Sequence, residues 1–322
     1  MTSSSGARRG RRPRRDRLAG IALVCMALFA SCTSEPSVPD DGRPSSGETP
    51  PIVVGSFDFS ESRILAEIFG RAMEEQGYPI TRLDNVASRE VMEPALEQGF
   101  VDFVPEYQGT ALTFLGLGRE VPVAGSRETH RKLTKVLDDK GIAVLDYAPA
   151  ENKNEVVVTE TTADRFGLRN ISDLRAVAPE LVFGGPPECP SRPLCLDGLE
   201  NTYGLRFKEF RPLDAGGPLT VAALEGGEID VGVLFTTSPA ISVRRLVVLE
   251  DNRNLQPSEN IVPVVRKEVA EAHGIEFTEL VNSITKQLST DTLRSLNQRV
   301  ELGGEAPAAV AQRWLLLQGL IT

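Results

Sequence analysis

The sequence predicts an α/β protein built as two similar lobes. Three observations carry this expectation. Short β-branched runs end at glycine twice, as Ile52-Val53-Val54 before Gly55-Ser56 and as Leu181-Val182-Phe183 before Gly184-Gly185, the pattern of a buried strand feeding a turn. Ala95-Leu96-Glu97-Gln98-Gly99-Phe100-Val101-Asp102 matches Ala223-Leu224-Glu225-Gly226-Gly227-Glu228-Ile229-Asp230, each reading as a helix end, a glycine and a strand. The spacings agree as well: Gly55 to Ala95 is 40 residues against 39 from Gly184 to Ala223, and Ala95 to Tyr107 equals Ala223 to Phe235 at 12. In open α/β sheets ligands sit beyond the carboxyl ends of strands. Tyr107 and Phe235 are therefore expected at two such edges, meeting across a cleft if the lobes face each other.

The other segments follow alternating units. Ser60 is placed to cap a helix through about Gln76, with Ile64, Leu65, Ile68, Phe69, Ala72 and Met73 at helical spacing. Ser126 is placed to cap another to about Lys140, followed by strands at Ile142 to Leu145 and Val156 to Val158. Beyond Val265 the pattern is helical over 268–273, 277–288, 292–300 and 307–317, a tail expected to pack back on the first lobe.

Charge is unevenly placed. The chain of 322 residues has a net charge of −10, while residues 1–31 hold seven Arg and one Asp, leaving −16 on the remainder. That acidity argues against nucleic acid as a partner of the folded part. The 41% hydrophobic content fits a globular protein. Two His in the chain argue against a multi-histidine metal site, and no cofactor is expected.

The Arg cluster is followed by the uncharged run Leu18 to Ser31, too short for a membrane span of about 20 residues and suited to an export signal over 1–31. Its end, Leu28-Phe29-Ala30-Ser31-Cys32, resembles a bacterial lipobox, in which Cys32 is lipidated and becomes the new N-terminus. An ordinary cleaved signal or a short uncleaved anchor are the alternatives. Residues 33–50 are rich in Pro, Ser and Gly without apolar periodicity, a tether behind the lipid site that reaches at most roughly 60 Å. Cys189 and Cys195, in the Pro-rich segment PPECPSRPLCLDG, read as a local disulfide in an exported protein. A metal site would need further ligands nearby, and a reactive thiol would need a neighbouring His.

Enzyme signatures are thin: the chain has no G-x-S-x-G, H-E-x-x-H, Walker A or G-x-G-x-x-G motif. GSFDFSESRILAEIF followed by GFVDFVPEYQGTAL instead resembles the substrate-binding lipoproteins of osmoprotectant ABC importers, the family that binds glycine betaine, choline, carnitine and related quaternary ammonium solutes. The matching residues are Gly55, Ser56, Phe59 and Glu61, then Gly99, Asp102, Pro105, Glu106, Tyr107, Gly109 and Thr110. Weaker similarity covers almost all of 51–322.

The resemblance implies a two-lobed periplasmic-binding-protein-like fold of type II with the ligand cleft between lobes. Two crossovers would divide the chain into lobe I, 51–150 plus 256–322, and lobe II, 151–255. It also implies a non-enzymatic role: capture of a solute, and delivery to a permease and its ATPase subunit by a monomer held to the outer face of the cell membrane through its lipid. A quaternary ammonium has no hydrogen-bond donor, so aromatic faces are the natural recognition element. By position, Tyr107 and Phe235 would be cage walls, with Phe57 and Phe59 as further walls. Thr110 and Thr236 would be polar contacts, Asn152 and Asn154 would line the cleft from lobe II, and Arg192 would hold a carboxylate tail.

Some relatives carry a cage Tyr where Asn154 stands and another near Ser258-Glu259-Asn260, and some carry Lys in place of Phe57. Glu259 reads either as a charge offered to a cationic ligand or as an exposed residue. The rival readings are a receptor of the same fold for an amino-acid derivative or a phenolic solute, an extracytoplasmic enzyme on the same scaffold, and a sensory partner without a transport role.

Overall fold

The computed structural model describes residues 50–116 and 125–322. The export signal, the lipidation site Cys32 and nearly all of the tether lie outside the described residues.

Two five-stranded sheets carry the fold. The first joins β1 (Ile52–Gly55), β2 (Ile80–Leu83), β3 (Phe103–Tyr107), β4 (Ile142–Val144) and β10 (Ile261–Arg266), in the order β2-β1-β3-β10-β4. The second joins β5 (Asn154–Thr159), β6 (Val182–Gly185), β7 (Glu209–Pro212), β8 (Val231–Phe235) and β9 (Leu246–Val248), in the order β7-β6-β8-β5-β9. The sheets have one topology. Three parallel strands, β2-β1-β3 or β7-β6-β8, are followed by an antiparallel strand, β10 or β5, against the third. Chain order differs, because the strand that completes the first sheet is supplied after the second sheet is finished.

The duplicated sequence landmarks occupy equivalent places. Asp102, just before β3, accepts the Val53 N–H at 2.8 Å through its carboxylate and donates its own N–H to the Val53 carbonyl at 2.8 Å. Asp230, just before β8, does the same to Val182 at 2.8 and 2.9 Å. Each aspartate thus locks the parallel pair at its start, where a strand following a glycine turn would otherwise be free to slip register.

Helix α1 (Ser60–Glu75) buries Ile64, Leu65, Ile68, Phe69, Ala72 and Met73 completely. Its apolar stripe meets the C-terminal helices, whose Phe277, Val281, Leu293, Val310 and Leu315 join the same core. The N-cap position is Phe59 rather than Ser60. A serine hydroxyl two residues on, that of Ser62, accepts the Phe57 N–H at 2.8 Å and fixes the chain entering the helix. Likewise Gly125, not Ser126, precedes the helix Ser126–Asp138. The expected break in the tail is a kink at Gly274, whose φ of 71° suits glycine.

The chain passes from the first sheet to the second between β4 and β5 and returns between β9 and β10. The two passages pair with each other. Glu151 and Asn260 form an antiparallel bridge, and the Asn152 N–H donates to the Glu259 carbonyl at 2.9 Å. Near this bridge both sheets present the ends of their third strands, Tyr107 and Phe235. Among the described residues, no helix is long and apolar enough to cross a membrane.

Replacing Asp230 with Ala removes the side-chain acceptor of the Val182 amide. We expect a loss of about 1–2 kcal/mol in urea denaturation. Asp102→Ala should cost more, because that carboxylate also pairs with Arg266 at 3.1 Å. An unchanged midpoint for Asp230→Ala would contradict the strand-tie assignment.

Candidate functional site

β3 and β8 end in aromatic residues for a local reason. Strand alternation buries Phe103 and Val233 in the cores, and the chain leaves each sheet just after Tyr107 or Phe235. Phe59 lies between them, its ring centroid 5.8 Å from Tyr107 and 5.6 Å from Phe235, and Phe57 stacks on Phe59 at 6.2 Å with an interplanar angle of 7°. All four rings line one cavity of about 130 Å³. Phe59, not a direct Tyr107–Phe235 contact, joins the two sheets. Gly216, at φ +66°, allows the loop after β7 to approach Phe235, since a Cβ there would stand 2.9 Å from the ring.

The tyrosine is held from behind. Its hydroxyl donates to Glu61 Oε1 at 2.9 Å. The same carboxylate accepts Asn152 Nδ2 at 2.7 Å and Asn297 Nδ2 at 2.7 Å, the latter from the helix Thr290–Glu301, and it is also bonded by Thr237. Burial raises the Glu61 pKa above the ordinary carboxylate value, and these hydrogen bonds oppose the rise. Burial and the neighbouring Glu61 carboxylate raise the Tyr107 phenol well above its usual value, so it remains a neutral donor.

A second buried cluster stands beside the rings. Arg89, 6% exposed on α2 (Arg89–Glu97), makes a two-pronged pair with Glu106 at 2.7 and 2.7 Å, and its guanidinium lies 5.0 Å over the Phe57 ring. Burial works against the Arg89 charge, and the Glu106 carboxylate more than offsets it. Glu259 is buried, accepts the Thr110 hydroxyl and the Gly109 N–H at 3.1 Å, and is pushed up to about 7 by burial. Gly109 is required for this approach: a Cβ there would come within 2.6 Å of Pro257 and 2.7 Å of the Ser258 carbonyl. The reading of Glu259 as an exposed residue is thereby corrected.

Of the residues singled out from sequence, Phe57, Phe59, Tyr107, Thr110, Asn152, Asn154, Arg192 and Phe235 all line the cavity. Several have their polar atoms engaged by the protein. Asn152 serves Glu61, and Asn154 donates to the Leu194 carbonyl at 3.0 Å, where Gln256 also donates at 2.9 Å. This ties the loop closed by the Cys189–Cys195 disulfide to β5; the Cα atoms of the bridge are 5.2 Å apart. Arg192, in that loop, pairs with Glu90 of α2 at 2.8 Å and with Glu188 at 3.3 Å. It therefore bridges elements attached to different sheets.

Thr236 is the exception. Its hydroxyl accepts the Lys153 N–H at 2.9 Å and lies 3.3 Å from Glu155, and it is not among the cavity residues. One residue past Phe235, the alternation of an extended chain turns it to the other side.

Arg89 and Asn297 carry no mark in the sequence, and Thr237 stands out there only as one of the hydroxyl residues that follow Phe235. Glu61 and Glu106 stand in the sequence motifs, but the motifs alone give them no role. No local signal marks Arg89; only the packing of α2 against β3 brings it to Glu106. Among the described residues, no group of three or more His, Cys, Asp or Glu could hold a metal ion.

Glu93, 3% exposed on α2, has an unpartnered Oε2 and is pushed up to about 7 by burial and then by the Glu106 charge. A carboxyl raised in the fold contributes most stability below its unfolded value near 4.5, and that contribution is lost as pH rises through 7. Glu93→Gln should therefore match the parent near pH 5 and exceed it at pH 8 by roughly 1–3 kcal/mol, measured by urea denaturation at both pH values. Equal stability at pH 8 would refute this assignment.

Comparison with known proteins places this geometry. A family model described as the substrate binding domain of ABC-type glycine betaine transport systems matches residues 50–316. A glycine-betaine-binding protein of Pseudomonas aeruginosa is 29% identical, with 92% of each chain covered. The carnitine transport binding protein OpuCC of Listeria monocytogenes is 25% identical over 92% of this chain and 94% of its own. A crystal structure of a glycine betaine/carnitine/choline ABC transporter superimposes with a TM-score of 0.65 at 25% identity, covering 84% of this chain and 99% of the other. The chain belongs to the family of substrate-binding domains of ABC-type glycine betaine transport systems, whose members bind a transported solute rather than transform it.

Proposed function

We propose that this chain captures a quaternary ammonium solute, of the glycine betaine, choline or carnitine type, in the cavity between its two sheets and delivers it to an ABC permease. In this reading lobe I is 51–150 plus 256–322, lobe II is 151–255, and the paired passages between them are the hinge. The monomer is tethered through lipidated Cys32 to the outer face of the membrane, a point that the acyl mass of the mature N-terminus would test.

The observation that carries the proposal is the convergence of Phe57, Phe59, Tyr107 and Phe235 on one cavity. A trimethylammonium group cannot donate a hydrogen bond, so it gains little from carboxylates as hydrogen-bond acceptors and much from ring faces. The cations at this wall favour the same class. Arg89 is neutralised by Glu106, and Arg192 by Glu90 and Glu188, so neither leaves a free positive charge to repel the solute. A solute with a carboxylate tail competes with Glu90 and Glu188 for Arg192; choline does not. The names of the relatives support the ligand class, since one is a glycine-betaine-binding and another a carnitine-binding protein.

Calorimetric titration with glycine betaine, carnitine and choline tests this reading, with an amino-acid and phenolic panel as the contrast. Phe59→Ala and Phe235→Ala should each weaken the best quaternary ligand about 2- to 30-fold, the range expected from 0.5–2 kcal/mol per ring. Arg192→Ala should weaken glycine betaine and carnitine more than choline. Absence of heat with every quaternary amine, or unchanged affinity in both aromatic variants, would overturn the proposal.

A further inference from the structure

Arg89 stands in the wall of the aromatic cavity with part of its guanidinium unspent. The residue is 6% exposed, lines the cavity and lies over Phe57, 5.0 Å from the ring centroid. An arginine carries five N–H donors in a rigid plane. Glu106 takes two of them, one from Nε and one from Nη2, both at 2.7 Å. The two on Nη1 and the second on Nη2 belong to another edge of the plane. Nη1 has no hydrogen-bond partner among the described residues, and it is not one of their fully enclosed unpartnered atoms. A molecule in the cavity can therefore reach it.

Glu106 does not need this second edge. Its carboxylate is already met by the Arg89 fork and by the Tyr107 N–H at 2.7 Å. The pair is neutral as a whole, yet the remaining guanidinium N–H groups are charge-assisted donors at short range. Arg192 is placed differently. Glu90 and Glu188 both hold it, so a guest carboxylate must share it with them. Arg89 offers a donor edge without that competition.

The surroundings accept an anionic group at this end. Ala87, Ser88 and Arg89 bring the start of α2 to the same wall, where the helix dipole is positive. Two further carboxyls act on Arg89, Glu93 and Glu259. Burial pushes both up to about 7, which lessens the negative charge that a guest carboxylate would meet. The contacts also form a series: Arg89 lies over Phe57, Phe57 stacks on Phe59, and Phe59 touches Tyr107 and Phe235. One wall thus carries ring faces at one end and free N–H donors at the other.

We propose that Arg89 Nη1 is the carboxylate anchor of the aromatic cavity, so that the solute is a zwitterion, a quaternary ammonium joined to a carboxylate, rather than a quaternary alcohol. This inference rests on the reading of the cavity as a quaternary ammonium site and narrows it.

The test is calorimetric titration of the parent and two variants with glycine betaine, carnitine and choline. Arg89→Lys keeps a cation for Glu106 but loses the planar fork. The double variant Arg89→Gln/Glu106→Gln removes both charges together, so that neither is left buried alone. Thermal melts verify folding, and either folded variant decides the question. The parent should bind the tighter of the two zwitterions about ten-fold or more better than choline, the scale of a hydrogen bond to a charged group. Each folded variant should weaken that zwitterion about ten-fold or more and choline by no more than about three-fold. A residue that only shaped the cavity would weaken all three solutes alike.

The failures are distinguishable. Choline bound by the parent as tightly as the zwitterions, or equal effects on zwitterion and choline in the folded variants, overturns the Arg89 assignment and leaves the aromatic cavity standing as a quaternary ammonium site. Binding of none of the three solutes by the parent overturns both.

Discussion

The site depends on one buried carboxylate. Glu61, 2% exposed in the first turn of α1, receives hydrogen bonds from Tyr107 of the first sheet, Asn152 of the passage between sheets, Thr237 after the second sheet and Asn297 of a C-terminal helix. Four donors from four separate segments meet on two oxygens. A buried charge persists only when it is paired or fully hydrogen-bonded, so the four segments must arrive together. This constraint sets the tilt of the Tyr107 ring and, through Asn152, the position of the interlobe passage. Losing any one donor leaves a buried carboxylate short of a partner, a larger cost than the bond itself.

Around this point the molecule repeats a single construction. A β-branched strand ends at glycine, an aspartate clamps the neighbouring parallel strand near its start, and the third strand ends in an aromatic residue. The two copies are joined so that both aromatic ends lie on Phe59. Duplicating a half-site in this way gives a cavity whose opposite walls have the same chemistry, which suits a solute presenting methyl groups in every direction. It also leaves the walls of the aromatic cavity divided between two sheets joined by two passages, the arrangement in which hinge closure can trap a solute.

Charge around the aromatic cavity is arranged differently from charge behind it. Near the rings each arginine is matched: Arg89 is buried against Glu106, and Arg192 is shared by Glu90 and Glu188. Behind Phe59 and Phe235 the carboxylates outnumber the single Arg63. A thin aromatic partition thus separates a compartment whose arginines are each paired from one richer in carboxylates than in basic groups. The Arg192–Glu90 pair has a further structural consequence, since it fastens the disulfide loop, itself tied to β5, onto α2 of the opposite body. The loop rim is therefore held by a partly exposed ion pair.

Much of this was legible in the sequence because the signals are local. Strand runs ending in glycine, the repeated Ala-Leu-Glu landmark and the stripe of α1 each follow from backbone geometry within a dozen residues. The equal spacing to Tyr107 and Phe235 then put both rings at strand ends. Two cysteines six positions apart needed no tertiary information to be paired. Only the tertiary structure decided what depends on packing between distant segments. It made Phe59 the ring that joins the two ends, buried Glu259 behind Thr110, paired Arg89 with Glu106, engaged Arg192 with Glu90 from the opposite body and turned Thr236 away from the cavity. It also brought Asn297, 236 positions away, onto Glu61. The reason is physical: periodicity specifies which face of an element is apolar, but the partner of a buried charge is specified only when the faces are brought together and water is excluded.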